Sequence, residues 1–378
     1  AQVRVEILQL GSIMSYVCTQ STGANFRHWI TPAWCAGAGI FVSPVYGTSI
    51  YATSTDGLNW VERSFPVSAN WTSIAASATL FVVVAASASV VYTSPDGLNW
   101  TSQALPNSAA QGYLGYGNGN FVIPGFTYVL TSANGFSWTQ TAVPWTADYA
   151  GYPFWSDFYT KWFMTETTSG VTKICTSVDG YSWTAASLGY NSSNLIYISG
   201  KGASLLLCGT NGTADGTLVS TNGSSWTRYT GGGGDFNASG VATDNKVYVI
   251  TGNGNCKYSA DGITWTNATL NLVTATGPCW NGAIFAFLIV STGGPNTAEI
   301  ILPTFVSPVQ AVLSDIVSSE CLQSGVLTAG DIDVTALAST TVRGYRIGSV
   351  GAIRAALEPL QAAWPFDVVQ HGYKIQYV

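Results

Sequence analysis

The chain has 378 residues, a formal net charge of −6 and only 13 lysines and arginines. Charged residues make up 8% of it, about a third of the usual share, while 47% are apolar. A composition this rich in aromatic residues and poor in charge excludes a disordered chain. No basic cluster is present, which argues against nucleic-acid binding. No apolar run is long enough to predict a membrane span.

The first ten residues, AQVRVEILQL, alternate in polarity and include Arg4 and Glu6. They predict a leading β-strand or linker over residues 1–10 rather than a signal peptide. Seven cysteines are scattered without a paired spacing, and their odd number favours free buried thiols over disulfides. Neither histidine lies at the spacing of a metal or catalytic motif, so we predict no metal site and no cofactor.

A heptamer, STDGLNW at residues 54–60, is the first of six copies of the pattern Ser-x-Asp/Asn-Gly-x-x-Trp, with starts 38 to 45 residues apart. Asp-Gly and Asn-Gly favour two-residue hairpin turns, because both central positions then need positive φ. Asp, Asn and Ser side chains can also bond nearby backbone N–H groups. A tryptophan on the outgoing strand can pack between sheets. The motif therefore predicts an architectural role for Ser54, Asp56, Gly57, Trp60, Ser94, Asp96, Gly97, Trp100, Ser132, Asn134, Gly135, Trp138, Ser177, Asp179, Gly180, Trp183, Ser220, Asn222, Gly223, Trp226, Ser259, Asp261, Gly262 and Trp265.

Each period contains four strand-like runs, which in the second period are 71–77, 80–87, 90–94 and 98–105. Four short strands per period of about 40 residues predict the four-stranded blades of an all-β propeller, here over residues 11–300.

The blade number follows from the repeats and from what flanks them. Six motifs give six blades, which is one alternative. Residues 16–26 look like a degraded seventh copy, and residues 277–291 supply two further strands without a motif. We predict seven blades, the last closed by pairing between the N-terminal hairpin and these late strands, because closure removes free sheet edges.

The heptamer resembles the Asp-box of sialidase-like propellers, Ser-x-Asp-x-Gly-x-x-Trp, with one residue missing between Asp and Gly. The resemblance implies a hairpin between the third and fourth strands of each blade. It does not imply sialidase activity, which would need three converging arginines. Only Arg27, Arg63 and Arg228 lie within residues 11–300, and Arg63 directly follows a motif.

A glycosidase would need two facing carboxylates. The repeat aspartates are explained by their turns, and the other acidic residues form no readable pair, so we predict that the chain is not an enzyme. The alternative is a carbohydrate-active enzyme that acts on host surface glycans. The aromatic stretch 148–163 has two interpretations: packing within two strands of the fourth blade, which we favour, or a glycan-stacking platform. The platform would consist of Tyr149, Tyr152, Trp155, Tyr159 and Trp162.

Composition changes near residue 300, and residues 301–378 predict a small α+β domain. Apolar spacing predicts a helix over 309–325 and a second over 351–364. A strand is predicted at 341–349. The run 366–378 alternates about a His-Gly pair, which predicts a hairpin.

Three segments in this region resemble the tail hub protein of tailed phages and gene transfer agents: LTAGDIDVTAL (327–337), VRGYRIG (342–348) and AIRAALEPLQAAWPFDVVQHGYKIQYV (352–378). The resemblance covers residues 306–378. It implies a virion protein of the distal tail, assembled in the bacterial host cytoplasm as a homotrimer with other tail-tip subunits. Family members continue beyond this hairpin, so the chain is expected to be a fragment or one part of a split hub.

The resulting functional prediction is a structural phage tail-tip protein with a projecting propeller. The propeller either contacts a host glycan or receptor or braces neighbouring subunits. A spacer without affinity for cells is a third alternative.

Overall fold

A computed structural model describes residues 14–21, 28–110, 112–188, 195–209, 217–229, 238–252, 255–267, 275–288, 298–305, 311–314, 317–318, 331–337, 341–342, 368–371 and 374–377. The chain forms two compact units. One is Val17–Leu302, and the other combines Ala1–Tyr16 with Pro303–Val378.

The larger unit is a β-propeller whose first three blades each consist of four consecutive antiparallel strands. Blade one contains β2 (Ala33–Cys35), β3 (Ile40–Pro44), β4 (Thr48–Ser54) and β5 (Val61–Ala69). Blade two contains β6 (Trp71–Ala76), β7 (Phe81–Ala85), β8 (Val90–Ser94) and β9 (Thr101–Ala104). Blade three contains β10 (Gly115–Gly117), β11 (Asn120–Pro124), β12 (Tyr128–Ser132) and β13 (Thr139–Ala142).

The next three blades repeat this arrangement, except that the innermost strand of blade four is divided into two segments. In blade four, β14 (Tyr149–Ala150) and β15 (Phe154–Ser156) both pair with β16 (Lys161–Thr168), followed by β17 (Val171–Ser177) and β18 (Thr184–Ser187). Blade five contains β19 (Leu195–Lys201), β20 (Ser204–Gly209), β21 (Thr217–Ser220) and β22 (Thr227–Tyr229). Blade six contains β23 (Ala238–Thr243), β24 (Tyr248–Gly252), β25 (Asn255–Ser259) and β26 (Thr266–Asn267). The predicted all-β propeller with four-stranded blades is confirmed.

A further four-stranded sheet joins the first strand to the late strands, in the order β1 (Met14–Ser21), β29 (Ala298–Phe305), β28 (Phe285–Leu288), β27 (Cys279–Trp280). The innermost strands of neighbouring sheets contact one another from β2 through β6, β10, β15, β19 and β23, and β27 contacts both β23 and β2. The backbone N–H of Gly277 donates to Thr31 Oγ1 at 3.0 Å, so the two ends of this series meet.

Burial follows strand position within each blade. The second strand of blade two, FVVVA, is buried at every residue, since it packs against a neighbouring sheet on each side. The fourth strand, TSQA, is largely exposed. The core is divided into clusters that join adjacent blades: one contains Val82 and Val84 of blade two with Phe121 and Leu130 of blade three.

The heptamers connect the third and fourth strands of their blades, as the Asp-box resemblance implied. The predicted two-residue turn is wrong. Residues 95–100 connect β8 to β9, and Gly97 has a positive φ of 69° while Asp96 does not. Asp96 Oδ1 instead accepts hydrogen bonds from the backbone N–H groups of Leu98 and Asn99, at 2.8 and 2.9 Å. The Asp96 carboxylate thus stabilises a loop that is longer than the tight turn predicted from the sequence.

The smaller unit does not support the predicted α+β domain. Its described strands are β30 (Ala311–Val312), β31 (Ile332–Asp333), β32 (Thr341–Val342), β33 (Val368–His371) and β34 (Lys374–Tyr377), with a 3-10 turn at Thr335–Leu337. Of the predicted helix 309–325, only residues 313–314 and 317–318 are described as helical. The predicted helix 351–364 lies outside the described residues. The predicted hairpin is confirmed by antiparallel pairing of β33 with β34.

Candidate functional site

A cavity of about 140 Å³ lies between the inner strands of the propeller. Tyr152 and Tyr197 contribute to its wall from blades four and five, and Thr31, Ser73 and Gly240 from blades one, two and six. None of its lining residues carries a charge. The cavity is smaller than the usual pocket for a drug-sized ligand, but an engineered cavity of about 150 Å³ holds one benzene ring. It can therefore accept a single ring.

The tyrosines near this cavity occupy one repeat position. In blades three, four and five, Tyr116, Trp155 and Gly200 pair with equivalent residues of the second strand. Three residues before each of them stands a tyrosine. These three are Tyr113, Tyr152 and Tyr197.

The other described blades have small residues at the same position. In blades one, two and six, the residue three positions before the equivalent paired residue of the first strand is Thr31, Ser73 and Gly240, respectively. This position is thus aromatic on three consecutive blades and holds a small residue on blades one, two and six, and of the three tyrosines Tyr152 and Tyr197 line the cavity. This asymmetry leaves the space that forms the cavity.

The three tyrosines form a stacked row. The ring centroids of Tyr113 and Tyr152 are 4.2 Å apart with planes at 28°, and those of Tyr152 and Tyr197 are 5.2 Å apart at 19°. The Tyr152 hydroxyl donates to the carbonyl of Thr72, across to blade two, at 3.4 Å. Within the described chain, the hydroxyls of Tyr113 and Tyr197 make no hydrogen bond.

Burial sets the electrostatics of this row. It raises the pKa of Tyr152 well above its ordinary value, and the neighbouring phenols of Tyr197 and Tyr113 raise it further. The pKa values of Tyr113 and Tyr197 are also raised, mainly by burial. All three phenols are therefore neutral at physiological pH, and the wall offers hydroxyl groups and ring surfaces without charge.

The five residues of the predicted stacking platform do not form one surface. Tyr149 is 55% exposed, whereas Trp162 is fully buried between blades three and four. Trp155 packs edge-on against Trp162, with centroids 5.8 Å apart. The Tyr159 hydroxyl is bound to the carbonyl of Ala203 at 2.5 Å. Only Tyr152 lines the cavity.

Two aromatic residues of the row were missed by sequence reasoning. Tyr113 and Tyr197 lie in QGYLGYG and LIYISGK, which contain no motif. An alignment of the inner strands, made through their pairing partners, would have shown that both share a position with Tyr152.

Glu166 is a fully buried carboxylate outside the cavity. It lies opposite Lys173 in the β16–β17 ladder, and Lys173 Nζ contacts its Oε1 at 2.8 Å. Thr168 Oγ1 donates to its other oxygen at 2.6 Å. Both oxygens are thus occupied by local partners, an arrangement that keeps a buried charge compensated.

Five cysteines are free, namely Cys35, Cys175, Cys208, Cys256 and Cys279. For these five, the prediction of unpaired thiols is confirmed. Burial raises the pKa of Cys279 to about 12, so its thiol is protonated and poorly nucleophilic. Cys321 and the Cys18 side chain lie outside the described residues.

In the described part of the chain, no three His, Cys, Asp or Glu side chains are grouped to hold a metal ion. The described helical residues include no segment with the length and hydropathy needed to cross a membrane.

Comparison with known proteins supports the propeller fold. No family model and no curated protein matches the sequence. Among solved structures, a virginiamycin B lyase from Staphylococcus aureus aligns over 76% of this chain and 99% of its own, with a TM-score of 0.64 and 11% identity. A streptogramin B lyase gives the same score and identity over 98% of its length. The WD40 propeller domain of Doa1 aligns over 78% of this chain with a TM-score of 0.56.

These neighbours correct one prediction. Two of them are lyases, so propellers of this shape include enzymes. The prediction that the chain is not an enzyme rested on the lack of a recognisable carboxylate pair in the sequence. Because these enzymes have a similar fold, the lack of such a pair does not exclude an enzyme, and the prediction was wrong. At 11% identity the likeness establishes the fold and assigns no reaction.

Proposed function

We propose that this chain is a component of the distal tail of a phage or a gene transfer agent. The main support is the arrangement of its C-terminal segments. The hub-like sequence segments occur in order within residues 306–378, which belong to a compact unit separate from the propeller. The hairpin expected at the end of this region is present as β33 and β34.

In this proposal the smaller unit joins the tail, and the propeller contacts the host surface or braces neighbouring subunits. The protein acts as a homotrimer with other tail-tip subunits, after assembly in the bacterial cytoplasm. A propeller poor in charge suits contact with neutral host molecules, since it imposes little desolvation of ions on binding. The uncharged central cavity supports the same role.

We also propose that the composite sheet of β1, β29, β28 and β27 is a seventh blade. Contacts of β27 with both β23 and β2 support this assignment. A blade built from both ends of the propeller sequence closes the ring and leaves no free edge between the first and last repeats.

Immunogold electron microscopy on purified particles tests the proposed location. Antibody against the full chain should label only the distal end of the tail, and antibody pre-adsorbed with the purified chain is the control. Label on the capsid or along the tail shaft, or particles without label, would contradict the tail-tip assignment.

A carbohydrate-active enzyme acting on host surface glycans is the second candidate. Solved propellers of similar shape include lyases, which supports only that this fold can carry an enzyme. The full chain is incubated with isolated host envelope and the released reducing sugar is measured, with heat-denatured chain as the control. Release above that control would favour the enzyme over a binding protein.

A further inference from the structure

We propose that the central cavity binds one neutral, hydroxyl-bearing sugar ring, stacked on the face of Tyr197 that Tyr152 leaves uncovered. This inference adds a ligand to the host-contact role proposed above. It rests on that role only for the source of the sugar, which is the terminal residue of an uncharged host glycan.

The first argument is the asymmetry of the wall. Three consecutive blades place tyrosine at one repeat position, while Thr31, Ser73 and Gly240 occupy it elsewhere. An unfilled cavity costs stability in proportion to its volume. Larger residues at the small positions would have filled the space, so the wall leaves room for a ligand on the side opposite the tyrosines.

The second argument is the chemistry of the wall. Tyrosine rings provide flat apolar surfaces, which match the C–H face of a sugar ring. The Tyr197 hydroxyl has no hydrogen-bond partner among the described residues and is available for a ligand hydroxyl. The remaining apolar lining consists of Ile30, Ile74, Leu114, Ile198, Val241 and Pro278. Without a charged lining residue, a carboxylate-bearing sugar would lose its hydration without compensation.

The third argument is size. About 140 Å³ accommodates one ring and excludes a second. The ligand is therefore a terminal or free sugar rather than the interior of a chain. A ligand of about a dozen heavy atoms reaches a Kd on the order of millimolar, so high affinity on a particle would come from several copies binding at once.

Saturation-transfer NMR with the full chain tests the proposal. The probes are the methyl glycosides of glucose, galactose and N-acetylglucosamine, with N-acetylneuraminic acid as a charged sugar and cyclohexanol as an apolar ring. At least one neutral glycoside should bind with a Kd of about millimolar, and it should bind more tightly than both the charged sugar and cyclohexanol. Strongest binding of cyclohexanol or of the charged sugar overturns the ligand class, and no binding of any probe overturns the site.

Variants then locate the site. Tyr197→Ala should weaken glycoside binding about tenfold through loss of stacking. Tyr197→Phe keeps the ring and should weaken glycoside binding only a few-fold. This variant keeps the test valid if the alanine variant fails to fold. Tyr116→Ala is the control, because Tyr116 is exposed on blade three and does not line the cavity. Equal binding by wild type and folded Tyr197→Ala overturns the assignment.

The two proposals fail separately. If antibody labels the distal tail but no glycoside binds, only the sugar-site proposal is contradicted. If a glycoside binds but antibody does not label the distal tail, only the tail-tip proposal is contradicted.

Discussion

At the scale of single residues, the repeat aspartates act as hydrogen-bond acceptors. Asp56, Asp179 and Asp261 bind backbone N–H groups two and three residues ahead, as Asp96 does. Asn134 does the same with its amide oxygen, at 2.9 Å to Phe136 N and Ser137 N. Because an asparagine suffices, the role needs an acceptor atom and no proton transfer. The carboxylates of these copies are therefore structural.

We expect Asp96→Ala to lower the free energy of unfolding by about 1–2 kcal/mol, since two backbone N–H groups lose their acceptor. Asp96→Asn should stay within about 0.5 kcal/mol of wild type at neutral pH, because two natural copies carry Asn. Urea denaturation of the three proteins measures this. Equal losses for both variants would show that charge, rather than acceptor geometry, matters.

The same pair of variants has a defined pH dependence. Partial burial acts to raise the pKa of Asp96, but hydrogen bonds from Asn99, Leu98 and Ser94 outweigh it and hold the pKa below its ordinary value. A carboxylate with a lowered folded-state pKa stabilises the fold above its unfolded pKa of about 4. That stability is lost as pH falls toward the folded pKa. The advantage of wild type over Asp96→Ala should shrink between about pH 4 and pH 2, whereas the Asp96→Asn variant should lack this loss.

At the scale of elements, each blade is joined to the one before it by its repeat tryptophan. Trp183 of blade four lies in a cluster with Val122 and Val129 of blade three. Its indole N–H donates to the carbonyl of Gly180 at 3.0 Å, which fixes the ring against its own loop. The heptamer thus both shapes a hairpin and supplies a contact between sheets.

Trp183→Ala should lower the free energy of unfolding by about 3–5 kcal/mol, because it empties a site that is only 5% exposed. Phe158→Ala in the same blade is the matched control and should cost under about 0.5 kcal/mol, since Phe158 is 61% exposed. Thermal and urea unfolding followed by near-UV circular dichroism measure both. A loss for Trp183→Ala as small as for the control would contradict the proposed packing role.

The sequence predicted these elements unevenly, and the reasons are physical. The sequence placed β6, β7 and β8 to within one or two residues, because short apolar runs separated by short turns of small and polar residues are local signals. The prediction of a tight turn was wrong because the loop is defined by hydrogen bonds that the Asp96 carboxylate accepts from backbone N–H groups, and not by positive φ at two positions. The tyrosine row depends on which residues of separate blades face one channel, and that is a tertiary property without a local pattern.

At the scale of the whole molecule, the segment before β27 lies close to the segment before β2 and to β23, the first strand of blade six. A Cβ added to Gly277 would lie 2.6 Å from Thr31 Oγ1 and 3.0 Å from the Cα of Gly240. Glycine is thus needed where the inner segment before β27 meets the blades on both sides. Each blade alone leaves apolar surface uncovered, so stability depends on this contact as on those between consecutive repeats.

Gly277→Val should lower the free energy of unfolding by about 2 kcal/mol or more, because the side chain forces apart two backbone contacts and strains the Gly277 N–H bond to Thr31. Ala283→Val adds similar bulk to the turn between β27 and β28, where Ala283 is exposed, and should cost under about 0.5 kcal/mol. Urea unfolding compares the two variants, and limited proteolysis should cleave the Gly277 variant faster. If both variants match wild type in midpoint and cleavage rate, the ends of the propeller do not depend on each other, and the closed ring would have to be abandoned.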